Sequence, residues 1–150
     1  MNQRPIEQPG NHDPRDYPDG AVVAVVHRAG RFLAIKRSRF VKAPGTVCFA
    51  GGGVEAGESK PDAIVREMQE ELGVSVTPVA RVHIGKTPSG VDLHFWQVRL
   101  SECQTIVPNE AEVESFGWYS TDELRTLPDL LVTANEFIDL YEQGIIQLAE

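Results

Sequence analysis

No run of apolar residues in this 150-residue chain is longer than six. That run, Ala21 to Val26, is far short of the roughly 20 residues a helix needs to cross a bilayer, so no membrane partner is expected. Cysteine is scarce. Cys48 and Cys103 lie 55 positions apart with no C-x-x-C partner, which argues against a zinc site and a disulfide framework and leaves two small buried apolar thiols as the expectation. No secretory leader is expected either, because the first eighteen residues carry Pro5, Pro9, Pro14 and Pro18 among polar side chains and no apolar stretch. A cytoplasmic address is the expectation that follows. Positive charge is in deficit as well, with 14 basic against 22 acidic residues for a net charge of −8. That balance argues against a long nucleic acid as the main partner, though not against a small anion brought in with a metal ion.

The remaining composition, 41% hydrophobic and 24% charged, is that of an ordinary globular domain able to bury a core. Proline density makes residues 1–18 a flexible arm, and residues 19–150 form one domain. The apolar runs AVVAVVH and FLAIKR around Arg28-Ala29-Gly30-Arg31 predict a hairpin. Residues 38–57 read as loop-rich, with Gly51, Gly52 and Gly53 in succession, interrupted by the short apolar piece Val47-Cys48-Phe49. Ser59 then caps a helix through Ala63 to Leu72, and Gly73 stops it. Val74 to Ile84, Val91 to Leu100 and Glu114 to Tyr119 read as strands. Ser120 to Glu123 is a capping box. Leu130, Leu131, Ala134, Phe137, Ile138 and Tyr141 recur at helical spacing, with Gly144 as the stop. Interleaved strands and helices predict an α/β or α+β fold.

Half of the excess negative charge sits between Glu55 and Glu71, where six acids face two bases. On the predicted helix, Ile64, Val65, Met68 and Leu72 form the apolar arc expected to face the core. Glu67, Glu70 and Glu71 share the neighbouring arc. Their i,i+3 and i,i+4 pairs repel, each costing about 0.2–0.5 kcal/mol. A solvated acidic face is one reading of such a cluster. A site for a hard cation is the other, since Mg²⁺ is typically held by one or two carboxylates together with substrate phosphates.

Spacing favours the second reading. From Gly52 the chain runs five residues to Glu58, then seven more to Arg66-Glu67-Met68-Gln69-Glu70-Glu71-Leu72-Gly73-Val74. This segment resembles the Nudix box at every defined position. The resemblance implies an α/β/α sandwich with a mixed β-sheet and a loop-helix-loop motif. It also implies a pyrophosphohydrolase that cleaves the diphosphate of a nucleoside diphosphate linked to another group. Carried over by position, Glu67, Glu70 and Glu71 are expected as ligands for Mg²⁺ (or Mn²⁺), and the Gly51/Gly52 backbone as a further carbonyl ligand. Glu58 and Arg66 are expected as a structural ion pair, and Gly73 as the helix stop. Family members often add an acid from a loop before a tryptophan. Among Glu110, Glu112 and Glu114, ahead of Trp118, Glu112 is favoured. The proton acceptor is then Glu70, Glu71 or Glu112.

Outside the box the candidates are weaker. Lys36 and Arg37 end a strand where they could meet phosphates, and Trp96 could stack on a base, since Phe95 and Trp96 must point to opposite faces. His27, His83 and His94 lack metal-ligand spacing and read as packed or surface residues. The rival function is a catalytically idle Nudix-fold module that senses a nucleotide. A module released from catalysis need not keep all three carboxylates, and this chain has them. The expected partner is a small nucleotide-type diphosphate, and neither its second group nor the oligomeric state can be read from the sequence.

Overall fold

A computed structural model describes residues 13–150. The chain runs through β1 (Ala21–Val25), β2 (His27–Arg28), β3 (Arg31–Arg37), β4 (Val47–Cys48), β5 (Gly51–Gly53), α1 (Lys60–Leu72), β6 (Val76–Lys86), β7 (Asp92–Leu100), β8 (Val113–Tyr119), α2 (Thr121–Arg125) and α3 (Val132–Glu142). One sheet has the order β5-β1-β7-β6, with β1 and β7 parallel and the other pairs antiparallel. In the other, β3 is the hub for β2, β4 and β8.

Two cores lie on either side of these sheets. Val22, Ala24 and Val26 point into one with α1's Ile64, Met68 and Leu72. Ala21 and Val25 point into the other with Leu124 of α2 and Phe137 and Ile138 of α3. Period-2 alternation along β1 thus feeds both layers, as a central strand of an α/β/α sandwich requires. Among the described residues no helix is long and apolar enough to cross a membrane.

The expected hairpin forms only at its tip. His27 and Arg28 pair with Phe32 and Arg31, and Ala29 and Gly30 both have positive φ, 51° and 75°, as a two-residue type I′ turn demands. Ala21–Val25 does not pair with β3, because the chain changes sheets at Val26. Its first five residues bond β5 and β7 instead.

The glycine run is likewise a strand rather than a loop. Gly51, Gly52 and Gly53 pair with Val23, Val22 and Ala21, and a Cβ on Gly51 would lie 2.0 Å from the Val22 carbonyl oxygen. Only glycine permits that approach.

Other differences are smaller. Residues 1–12 of the expected arm lie outside the described residues. Pro14–Asp16 forms a 3-10 turn capped by Asp13, and Tyr17 packs on the α3-side core. Leu130 and Leu131 precede α3, where the Leu131 N–H donates to Val47 O at 2.8 Å. Cys48 is buried as expected, and its thiol is pushed up to about 11 by burial. Cys103 is exposed on a turn.

Candidate functional site

The site is built on α1 and the strand that precedes it. The Ser59 side chain accepts from the Asp62 N–H at 3.2 Å, Pro61 occupies the first turn, and Gly73, at φ 64°, returns its N–H to Gln69 O at 3.0 Å. These caps fix a helix of 13 residues, and its rotation about its own axis matters most. Val65, expected in the core, is 37% exposed, and Ala63 is buried instead. The inward face therefore includes the 63/67/71 row, so Glu67 and Glu71 are buried while Glu70 stays half exposed.

Arg66 organises the approach to this face. Its Nε donates to Glu58 Oε2 at 2.8 Å and its Nη2 to Glu58 Oε1 at 2.9 Å. Nη2 also donates to Gly53 O at 2.9 Å, and Nη1 to Glu67 Oε1 at 2.9 Å and Glu70 Oε2 at 3.3 Å. A planar guanidinium with five N–H groups can serve all of these at once. It holds the Glu58 carboxyl down at about 2, helped by a hydrogen bond from the Glu55 backbone. The β5 strand, the following loop and α1 are thereby joined by one side chain.

Electrostatic tension collects on the far side of Arg66. Burial raises the Glu67 carboxyl above its ordinary value against the pull of Arg66, and the charges of Glu70 and Glu112 add to the rise. Glu71 is pushed up to about 9 by burial first, then by Glu67 and Glu112, with Arg37 and the Gly51 backbone opposing. Glu71 Oε2 is buried and has no hydrogen-bond partner. Against these carboxylates lies Gly52, where a Cβ would stand 2.4 Å from Glu67 Oε1.

Among the described residues no three His, Cys, Asp or Glu side chains form a ready-made metal cluster. The donor set nevertheless fits a hard cation that takes most of its oxygens from a phosphate ligand and water. Two buried carboxylates repel one another, one oxygen is orphaned, and a bare glycine strand lies alongside.

Sequence-predicted residues separate into those gathered here and those held elsewhere. Glu112 is brought to the cluster by the 101–112 loop, which is pinned to α1's end by Val107 N–H to Leu72 O (2.9 Å) and Asn109 N–H to Glu71 O (2.8 Å). Asn109 Nδ2 donates to Glu112 Oε2 at 3.3 Å. Arg37 lies close enough to bias both Glu71 and Cys48, with its Nε bonded to Lys42 O at 2.7 Å. Lys36, one residue earlier on β3, points to the opposite face and pairs with Glu114 at 3.1 Å. Trp96 is packed against the α1-side core with its Nε1 buried and unpartnered. His27 and His83 pack on Phe32 and Phe95.

Two contributors were not anticipated. Ser38, only 3% exposed, donates its N–H to Glu112 O (3.0 Å) and its Oγ–H to Ala111 O (2.8 Å). Asn109 orients the same loop. A Pro-Asn turn signal was available for Asn109, whereas nothing local marks Ser38.

The model of the NUDIX domain matches residues 16–141. The chain belongs to the Nudix family. It is 37% identical over 125 residues to an NAD-capped RNA hydrolase NudC of Pseudomonas aeruginosa, an alignment covering 81% of this chain and 43% of that protein. A Chromobacterium violaceum protein of the same name is 32% identical over 114 residues, covering 76% and 43%. This Nudix chain thus spans less than half the length of those relatives. The MutT protein of Methanosarcina mazei Go1 shares the fold at 18% identity and a TM-score of 0.72, with 85% of this chain and 94% of that one covered.

Nudix hydrolases generally need a divalent metal, in keeping with the donor set on α1. The charge-based expectation against long nucleic acid stands in tension with relatives named for capped RNA.

Proposed function

We propose that this Nudix chain is a divalent-metal-dependent pyrophosphohydrolase, with Mg²⁺ as the working ion, acting on a nucleoside diphosphate linked to a second group. A 5′-capped RNA end belongs to that substrate class. The observation that carries the reading is the orphaned Oε2 of Glu71, buried beside Glu67 and Glu112. An acid kept there without a partner costs stability in the free protein, and a cation with its phosphate ligand relieves it.

Glu67 and Glu71 would hold the ion, with Glu70 and the Gly51/Gly52 backbone bordering it. When bound, such a cation neutralises phosphate charge and makes water a better nucleophile. Arg66 keeps Glu67 oriented and fixes β5 to the helix. Arg37 supplies a cation beside Glu71 where phosphate oxygens would lie. Glu112, steered by Asn109, accepts the proton from the attacking water, and its place on a loop rather than on α1 leaves it free to face substrate. Lys36 takes no part in this reading, because it pairs with Glu114 on the other face of β3, and Trp96, packed in the α1-side core with its Nε1 buried, is given no stacking role.

The test is a panel of nucleoside diphosphate derivatives, among them free NAD and a short NAD-capped RNA, incubated with Mg²⁺ in ¹⁸O-labelled water. Label on a phosphate of one product, with cleavage inside the diphosphate, is expected. Label on a sugar carbon, or a preference for simple phosphate monoesters, would overturn the proposal. Binding of the panel without turnover by protein saturated with Mg²⁺ would favour the idle module.

A further inference from the structure

Charge is segregated along this acidic chain. Between Gly20 and Val54 there are six Lys and Arg residues and no Asp or Glu. Arg31 and Lys36 of this group are paired, with Glu123 and Glu114, and Arg28 lies over the Trp118 ring. Arg37, Arg39 and Lys42 have no acid within ion-pair distance among the described residues, although Lys42 biases Asp13 from farther off. All three lie at the root of, or within, the connection between β3 and β4.

That connection also carries Phe40, which is 69% exposed, with the Arg39 guanidinium 4.8 Å from its ring centroid. A large aromatic left in solvent under a cation is the pairing used to stack and neutralise single nucleotides.

The segment is built rather than loose. Arg37 N–H donates to Thr46 O (2.9 Å), Gly45 N–H to Arg37 O (3.0 Å) and Phe40 N–H to Ser38 Oγ (3.2 Å). Ala43 is buried at φ 50°, a conformation an alanine holds only when its surroundings impose it. A pre-ordered platform loses little entropy on binding.

It also borders the acidic face at one point, where Ser38 is bonded to the backbone of Ala111 and Glu112. On the other side of β5, Lys42 Nζ stands 5.8 Å over the Tyr17 ring, itself against Gly53.

We infer that the 38–45 connection is a nucleotide subsite, in which Phe40 stacks on a base and Arg39 and Lys42 take its 5′-phosphate. This rests on the hydrolase reading, since the 5′-phosphate of the nucleotide held here is one of the two phosphates of the cleaved diphosphate. Its source is either a free mononucleotide moiety or the first nucleotide of an RNA chain.

The test is made in EDTA, without turnover, on the full chain. Phe40→Trp is titrated with 5′-AMP, ribose 5-phosphate and a 5′-phosphorylated RNA tetramer, and its fluorescence is read against wild type, which carries Trp96 and Trp118. Quenching by AMP and the tetramer, with none by ribose 5-phosphate, is expected. Phe40→Ala should weaken AMP binding by roughly 5- to 150-fold by calorimetry, the span that loss of one base–aromatic stack gives. Arg39→Ala with Lys42→Ala should weaken all three ligands. Binding of the tetramer at least tenfold tighter than AMP assigns the subsite to RNA, and equal affinities assign it to a mononucleotide moiety. No base-dependent quenching, or unchanged AMP affinity in Phe40→Ala, overturns the inference. Because nothing here depends on metal or cleavage, a chain that binds but never hydrolyses loses only the hydrolase reading, and one that hydrolyses without quenching loses only the subsite.

Discussion

A methyl group on Gly52 would sit 2.4 Å from Oε1 of Glu67, so the strand and the helix that frame the site meet where only hydrogen fits. The obstructing atom ends a side chain, but that side chain is buried and held by Arg66 at 2.9 Å. Gly52→Ala should therefore cost about 1–3 kcal/mol of stability, as overpacking does. By displacing Glu67 it should also weaken divalent-ion binding by roughly tenfold or more. Denaturant melts and calorimetric titration with Mg²⁺ and Mn²⁺ measure the two effects. Wild-type ion affinity in this variant would show that Glu67 is not needed where it stands.

The Glu71 carboxyl makes the metal-free protein sensitive to pH. Its ordinary value of 4.5 is raised to about 9 in the fold, so between those limits the folded state keeps a proton that the unfolded chain has lost. Stability from this group is complete below about pH 4.5 and declines as pH rises through about 9. In EDTA, the melting temperature of wild type should fall across this window more steeply than that of Glu71→Gln. Saturating Mg²⁺ should reverse the wild-type trend, because the ion binds the ionised carboxylate. Glu71→Gln should lose that response and at least about 100-fold in turnover. Identical pH slopes for the two proteins would remove Glu71 from the account.

Arg66→Lys keeps the charge but not the fork. A single ammonium cannot reach both Glu58 oxygens, Gly53 O and Glu67 at once, so the 54–59 segment should loosen from α1. A loss of about 1–3 kcal/mol is expected from charged hydrogen bonds of this kind. Faster amide exchange at Glu55 and Glu58, with the centre of α1 still protected, would mark the loss as local. Exchange unchanged at those amides would show that the arginine is a surface charge.

Met68→Ala separates packing from chemistry. The side chain is fully buried between Ile64 and Leu72, so its truncation should cost about 2–5 kcal/mol. Ion affinity per folded molecule should stay near wild type, measured well below the lowered melting temperature. A large fall in affinity would mean that the α1 face is positioned by its core contacts as much as by Arg66.

Short-range features were legible without the fold. The α1 boundaries follow from Ser59, Pro61 and Gly73, because capping and φ preference act within a few residues. The turn at Ala29-Gly30, though not its type, and the capping box at Ser120–Glu123 are of the same kind, and in the latter both reciprocal bonds form. The box spacing, a pattern of residue types along one segment, was sufficient to indicate the family. It also drew attention to Glu58, Arg66, Glu67, Glu70 and Glu71 before any distance was known.

Tertiary packing decided the rest, because apolar periodicity says that a face is buried but not against what. Ala21–Val25 had an apolar partner run next in sequence, yet its hydrogen bonds went to β5 and to β7, some 70 residues away. The Gly51–Gly53 run lacked strand-forming side chains and became a strand, since the space beside Val22 admits no Cβ. Rotation of α1 that exposes Val65 and buries Glu67 and Glu71 depends on the sheet beneath it. So does the separation of Arg37 from Lys36, where period 2 sends adjacent residues to opposite faces. Sequence by itself determined which residue types could serve a metal and a phosphate. Only the assembled sheets determined which carboxylates lost their water, and desolvation rather than identity sets the electrostatic tension on which the proposed chemistry rests.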